Sequence, residues 1–314
     1  MYSHAQAWRE DLSMTRLPRM LVAAVLGLAT LFAVGPAAAI TNGQPDAGRH
    51  PYVGLMVALD ADGVPLWRCS GSLLSPTVFL TAGHCTEPPA AHVEVWFGEG
   101  PILTDPDYQA AVEANAPEPV SCNDSPAFDG YPCAGDAGGT PHPNPDFCTA
   151  CGPGLPRFAF RDVGVVVFDQ PVPTTVVDEY AQLPSPGQAD TLPNKAPIDF
   201  VGYGVSVQAQ IPGNQLPQPP PFYRWTGPRE RMYAPSQLVS GNFVHSDEFL
   251  RLALNASRGS GGTCFGDSGG PDLLGGTDTV LGVNSYVTNN NCSGVGYAQR
   301  IDIPEVLDWI DSFM

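Results

Sequence analysis

Residues Gly261 to Pro271 read GGTCFGDSGGP. A serine set between glycines is either a turn residue or an exposed nucleophile, and the rest of the chain decides which. Acyl transfer by serine needs an exposed hydroxyl, a base to take its proton, an acid to hold that base, and donors for the oxyanion. In Gly266-Asp267-Ser268-Gly269-Gly270 the glycine-rich turn frees backbone NH groups to point at a developing charge. Upstream, TAGHC (Thr81 to Cys85) sets His84 at the end of an apolar strand, beside a cysteine that can tether it. Asp162 directly precedes VGVVVF (Val163 to Phe168), an acid at the mouth of a buried strand; Asp146 and Asp169 lie nearby without that placement. Taken singly, these are a tight loop, a satisfied histidine and a strand cap. Their joint occurrence, flanked by cysteines, points to chemistry.

The surrounding sequence is all-β in pattern. Short runs rich in β-branched and aromatic residues alternate with Gly and Pro: Tyr52 to Leu59, Thr77 to Thr81, Val93 to Phe97, Val163 to Phe168, Ile198 to Tyr203 and Thr279 to Tyr286. Such spacing predicts a sandwich or barrel. Only Ile303 to Asp311 has helical spacing, with Pro304 in its first turn. With 314 residues and 43% hydrophobic content the chain can bury a large core. Charged residues make up 15% of the chain yet sum to −18, and Lys195 is the only lysine. So acidic a surface repels phosphate backbones and anionic lipid, which argues against nucleic acid or a membrane as partner.

At the N-terminus Arg16 and Arg19 precede an apolar run from Met20 to Val34, followed by Gly35, Pro36 and three alanines. The run is shorter than the roughly 20 residues a spanning helix needs. Residues 1–39 therefore read as a secretory signal peptide, leaving a chain from Ile40 to Met314 released outside the cell or into the periplasm. Eight cysteines after Ala39 suit that oxidising destination. Cys122, Cys133, Cys148 and Cys151 form a cluster whose pairing spacing does not decide, and Cys148 to Cys151 also has the spacing of a metal knuckle. Disulfides are the preferred reading and no metal is expected there. Two segments look like insertions: about 104–156, acidic, proline-rich and without packing periodicity, and 211–222, which is proline-dense. The acidic segment could hold a structural calcium ion, but it lacks EF-hand spacing and reads better as a solvated surface.

TAGHC, DVGVV and GDSGGP resemble the three active-site motifs of the chymotrypsin/trypsin family of serine endopeptidases, in the family's order. CSGSLLSPTVFLTAGHC resembles its histidine loop, and VGYG at Val201 to Gly204 resembles its VTGWG strand. The resemblance spans Ile40 to the end outside the two insertions. It implies two packed six-stranded antiparallel β-barrels with a C-terminal helix and the site between them. It further implies disulfides Cys69 to Cys85 and Cys264 to Cys292. Ser268 would be the nucleophile, His84 the base and Asp162 its holder, with the amides of Gly266 and Ser268 as oxyanion hole. Ser285 matches the serine that supports the triad acid.

The family's new N-terminus, usually Ile-Val-Gly-Gly, pairs its ammonium with the acid before the nucleophile. Here that pair would be Ile40 and Asp267, although Thr41 and Asn42 depart from the family sequence. Since Ala39 directly precedes Ile40, removal of the signal peptide would itself create the activating terminus.

At the pocket base the family position six before the nucleophile is Gly262, so no buried charge awaits Lys or Arg. Val287 and Val295, where glycines would leave an open slot, would narrow the walls. The implied substrates are proteins or peptides with small or medium aliphatic residues before the scissile bond, or else aromatic ones, cleaved by a monomer. The competing reading is a catalytically idle protease fold serving as a binding or adhesive module.

Overall fold

The computed structural model describes residues 40–102, 135–149, 151, 159–204, 229–239, 246–255, 261–289 and 292–314, together with the backbone of four short strands at 127–128, 131–132, 207–210 and 223–226. Residues 1–39, where a signal peptide is expected, the stretch 211–222, Cys122 and Cys133 lie outside the described residues. In chain order the first strands are β1 (Gln44–Pro45), β2 (Val53–Leu59), β3 (Pro65–Ser75), β4 (Val78–Thr81) and β5 (His92–Trp96), with the short helix α1 (Gly83–Thr86) between β4 and β5. Next come β6 (Ala127–Phe128), β7 (Tyr131–Pro132), β8 (Ala137–Pro143) and β9 (Gly164–Phe168). The second half holds β10 (Pro197–Gly202), β11 (Val207–Gln210), β12 (Tyr223–Thr226), β13 (Met232–Gln237), β14 (Phe249–Leu254), β15 (Pro271–Leu274), β16 (Val280–Val287) and β17 (Gly294–Arg300). Helix α2 (Pro304–Asp311) ends the chain.

The first barrel closes in the order β2-β3-β4-β9-β8-β5, antiparallel throughout. The second is a sheet ordered β1-β13-β10-β15-β16-β17-β14, and its ends approach where Leu238, just past β13, bridges Leu252 of β14. This is the expected chymotrypsin-like architecture, with β1 as an added edge strand. Among the described residues no helix is long and apolar enough to cross a membrane.

Sequence explains most of these elements. Every residue of β2 is buried, so its near-continuous apolar run reflects a strand covered on both faces. β13 alternates buried and accessible positions, as a strand with one solvated face should. In α2, Pro304 opens the helix where its missing NH costs nothing, and Val306, Leu307 and Ile310 are buried.

One strand runs against the sequence reading. β8, AGGTPHP, falls inside the stretch read as an insertion unable to join a core, yet it is the strand that closes the barrel between β5 and β9. Its glycines are the reason: a Cβ at Gly139 would lie 2.3 Å from the Val167 carbonyl oxygen, and one at Gly135, just before the strand, 2.4 Å from that of Val95. Close backbone approach demands glycine at the cost of the β-forming side chains that sequence patterns recognise.

Inside the first barrel the Phe79 ring, fully buried and edge-on to Phe97 at 5.9 Å, lies over two cross-strand glycines, Gly54 and Gly71. A Cβ at Gly71 would fall 2.3 Å from Phe79 Cε1 and 2.5 Å from the Leu80 carbonyl oxygen. Gly71→Ala is therefore expected to destabilise the protein by about 1–3 kcal/mol through overpacking. A denaturation midpoint equal to that of the parent chain would show that the ring has room to move.

Candidate active site

Asp162 sits just before β9, 1% exposed, and three donors converge on its carboxylate. The His84 backbone NH reaches Oδ1 at 2.9 Å, and His84 Nδ1 lies 2.9 Å from Oδ2 and 3.1 Å from Oδ1. Ser285 Oγ donates to Oδ2 at 2.5 Å. The backbone NH of Asp162 itself donates to Gln299 Oε1 at 2.9 Å. His84 belongs to α1 in the first barrel, whereas Ser285 and Gln299 lie on β16 and β17 of the second. Of the three acids considered, Asp162 is thus the one that meets the histidine. Gln299 carried no sequence signal, since a glutamine in a strand marks nothing until its partner is known.

Burial disfavours a charged His84, but the Asp162 carboxylate outweighs it and holds the imidazole above its ordinary pKa. Burial alone would likewise raise Asp162, yet the facing imidazole and the hydrogen bonds from His84 and Ser285 keep its carboxyl below the usual range. The ring nitrogen facing Asp162 therefore carries the proton, which turns Nε2 outward as the acceptor. The His84 side chain keeps 30% of its surface exposed, so that acceptor can be reached.

Ser268 is half-buried in the turn before β15. Ser70 on β3 anchors this turn to the first barrel. Its backbone NH donates to the Ser268 carbonyl at 2.8 Å, and its hydroxyl donates to the Gly266 carbonyl at 3.0 Å and accepts from Tyr203 NH. The Ser70 carbonyl also accepts Thr81 Oγ1, on the strand leading to His84. At Gly269 a Cβ would stand 2.0 Å from Thr81 Oγ1 and 2.7 Å from Ala82 N, so the serine turn lies directly against the residues that enter α1. Gly266 (φ +93°) and Gly269 (φ +76°) both occupy the left-handed region, where side chains are strained. The Ser268 hydroxyl makes no hydrogen bond to the His84 ring within the described residues. Such contacts are commonly long in unliganded sites and tighten around substrate.

Cys69 is joined to Cys85, Cys264 to Cys292, and Cys148 to Cys151. The last pairing removes the knuckle reading for those two sulfurs. Cys69, His84 and Cys85 also cluster within 4.8 Å, but both sulfurs are spent on their disulfide.

Beside the serine turn lies a cavity of about 170 Å³ lined by Thr263, Cys264, Phe265, Asn284, Ser285, Tyr286 and Val287. No charged side chain lines it. Of the residues expected at the pocket, Ser285 and Val287 are present and Gly262 and Val295 are not. Gly262 is buried behind Thr263 and exchanges backbone hydrogen bonds with Thr41, and a Cβ there would sit 2.7 Å from Thr41 Oγ1. Val295 pairs with Ala253, and the residue opposite Val287 is Gly296. Period-2 alternation sets Val295 and the Gly296 that pairs with Val287 on opposite faces of β17.

Ile40 and Asp267 are both fully buried. Ile40 packs in the core of the second barrel, and Thr41 bridges Gly262. Asp267 accepts Gly204 NH at 2.8 Å and Cys264 NH at 2.9 Å, one on each carboxylate oxygen. Burial pushes its pKa up to about 7 despite those bonds and the nearby Arg229 and Arg68.

The Trypsin family model matches residues 40–115 and 238–310. Proproteinase E of Bos taurus is 24% identical over 287 residues, which cover 88% of this chain and 95% of that protein. HL collagenase superposes with a TM-score of 0.55 at 18% identity, covering 87% of this chain and 97% of that one. Human heparin binding protein superposes with a TM-score of 0.51 at 15% identity, covering 87% and 96%. These structural likenesses are likenesses of fold.

The opposition between burial and Asp162 gives His84 a titration that can be checked. Its ring should titrate above about 6.5, the ordinary histidine value. With Asp162→Asn the charge disappears while the burial stays, so the value should fall below that figure. Ring-proton NMR titrations of both proteins measure this, and an unshifted value in Asp162→Asn would mean that another group sets the protonation of His84.

Proposed function

The chain belongs to the trypsin family, and from that premise we propose that it is a secreted serine endopeptidase hydrolysing peptide bonds through a Ser268-His84-Asp162 triad and an acyl-enzyme. The observation that carries the reading is the Asp162 carboxylate held between His84 Nδ1 and Ser285. Ser268 Oγ attacks the carbonyl carbon as its proton passes to His84 Nε2. Asp162 stabilises the imidazolium that forms, and the amides of Gly266 and Ser268 face the oxyanion. The imidazolium returns its proton to the leaving amine, and water then repeats the sequence to release the acid. A polar constellation of this completeness is not needed by an idle binding module, which the same fold could otherwise serve.

The cavity beside Ser268 supports a preference for small or medium aliphatic side chains before the scissile bond. Its volume of about 170 Å³ lies below the roughly 300–1,000 Å³ of a typical small-molecule pocket, and Val287 on its wall narrows it. It offers no counter-charge to Lys or Arg. Secretion is supported by the basic and apolar N-terminal segment and by the disulfides. In the activation reading, removal of residues 1–39 frees the Ile40 ammonium, and the buried Asp267 carboxyl awaits a cation. A carboxyl with a pKa of about 7 is half neutral in neutral solution, and an adjacent ammonium would draw it into the charged form.

Three measurements test this. A fluorophosphonate should label the secreted protein covalently and Ser268→Ala should abolish the labelling, whereas an unlabelled wild-type protein would support the idle-fold reading. In a peptide library, Ala and Val substrates should be cut faster than aromatic ones; the reverse order would place a wider slot at Val287. N-terminal sequencing of the secreted chain should begin at Ile40, and any other start removes signal cleavage as the activating step.

A further inference from the structure

We propose that the cavity between the end of α1 and the turn after β8 is a second substrate subsite, one that takes a lysine or arginine side chain close to the scissile bond, with Glu87 as its specificity-determining charge. The inference rests on the endopeptidase reading above and adds a second requirement to its substrates. The cavity has a volume of about 560 Å³, within the roughly 300–1,000 Å³ of sites that hold small ligands. Pro88, Pro143, Pro145 and Phe147 give it apolar walls, and among the described residues Glu87 is the charged side chain that lines it.

Its place beside the triad follows from two distances. A Cβ at Gly83 would stand 2.8 Å from Phe147 Cδ2 and 3.2 Å from Asp162 Oδ1, so the Phe147 ring packs on the residue before His84. Glu87 comes just after α1, and its charge acts on both His84 and Asp162. The opposite wall is tied to the triad acid, because Cys148 and Phe160 exchange backbone hydrogen bonds at 3.1 and 2.9 Å shortly before Asp162. Within the turn, buried Asn144 accepts Phe147 NH on its carbonyl at 2.9 Å and Asp146 NH on Oδ1 at 3.0 Å. The Cys148 to Cys151 disulfide closes the segment that follows. These bonds hold the walls in place without a substrate, so little ordering is left for binding to cost.

Lysine and arginine carry an apolar stem and a cationic head, and they lay the stem on apolar surface while the head stays near water. Prolines and a phenylalanine beside a half-buried carboxylate match both parts. Burial raises the Glu87 carboxyl above its ordinary value, so an incoming cation meets an acid already short of water. Arg161, next to Asp162 in the chain, is turned to Glu248 and Glu305 and leaves this carboxylate to the substrate. A calcium ion would want six or more oxygens, which one carboxylate among prolines does not offer. The net charge of −18 further draws basic peptides toward the molecule. The cavity beside Ser268 has no charge on its walls, so the two cavities ask for different side chains.

The test uses pairs of peptides that share alanine or valine before the scissile bond and carry lysine or its neutral analogue norleucine at each neighbouring position in turn. At one position kcat/KM should be about fivefold higher for the lysine peptide, the upper end for an ion pair open to water, and the ratio should shrink as salt is added. Glu87→Gln should bring that ratio close to one. Because Glu87 also acts on His84, the substitution shifts both rates together, and the ratio alone reads the subsite. A wild-type ratio near one at every position, or a ratio that survives Glu87→Gln, overturns the proposal. If neither peptide is cut, the endopeptidase reading has failed and binding decides the subsite. Fluorescence anisotropy of the labelled pair on the secreted protein should then still show tighter binding of the lysine peptide, and equal affinities overturn the proposal.

Discussion

A carboxylate removed from water must have its lone pairs satisfied in place, or it will take up a proton. Asp162 meets that demand with groups from both barrels, since His84 comes from the first and Ser285 from the second, while Gln299 of the second accepts the Asp162 backbone NH. The pairing of the barrels and the state of the histidine are thus one condition. If the barrels slid apart, Asp162 would lose Ser285, the balance that holds His84 above its ordinary pKa would weaken, and burial would dominate. Ser70 does the corresponding work for the serine turn, binding Ser268, Gly266, Tyr203 and Thr81 through one residue.

The same accounting applies to the other buried acids of a chain that has 32 acidic residues against 14 basic ones. With so few cations, arginines are placed where a buried carboxylate needs them. Arg231, 3% exposed, donates Nε to Asp46 and a second nitrogen to the carbonyls of Val53 and Phe97 and to Tyr203, joining the N-terminal segment to both barrels. His50 completes Asp46 on its other oxygen at 2.6 Å. Arg300 grips Asp302 at two oxygens and reaches Asp190 with the rest of its fork. Asp267 relies chiefly on backbone amides.

Legibility in the sequence followed the physics of each feature. Strands such as VFLT and GVVVF announce themselves because β-branched and aromatic side chains fill a barrel interior, and the triad candidates were visible because glycines and cysteines mark their turns. β8 was hidden because close backbone contact replaces its side chains with glycine, leaving a segment that looks like loop. Gln299 and Ser70 were hidden because their roles exist only across the barrel seam, at separations of 137 and 196 residues from Asp162 and Gly266. At the pocket, Ser285 and Val287 line the cavity, while on the neighbouring strand Gly296 faces Val287 and Val295 pairs with Ala253. A bulge between Asn284 and Tyr286 shifts the pairing by one, and spacing carries no trace of it.

The segment from Gly261 to Gly270 also binds selectivity to the N-terminus. At one end Gly261 NH reaches the Pro235 carbonyl and Gly262 exchanges two hydrogen bonds with Thr41, next to buried Ile40. At the other, Gly269 NH reaches the Asn284 carbonyl and Asn284 NH returns to Gly270. Between these anchors stand Thr263 and Cys264 of the cavity wall, Asp267, and Ser268 itself. A Cβ at Gly262 would meet the Thr41 hydroxyl at 2.7 Å, so this glycine also gives Thr41 its place beside the serine segment. A change at the terminus must therefore travel through Thr263 to the cavity and through Asp267 to the serine, since no slack separates them.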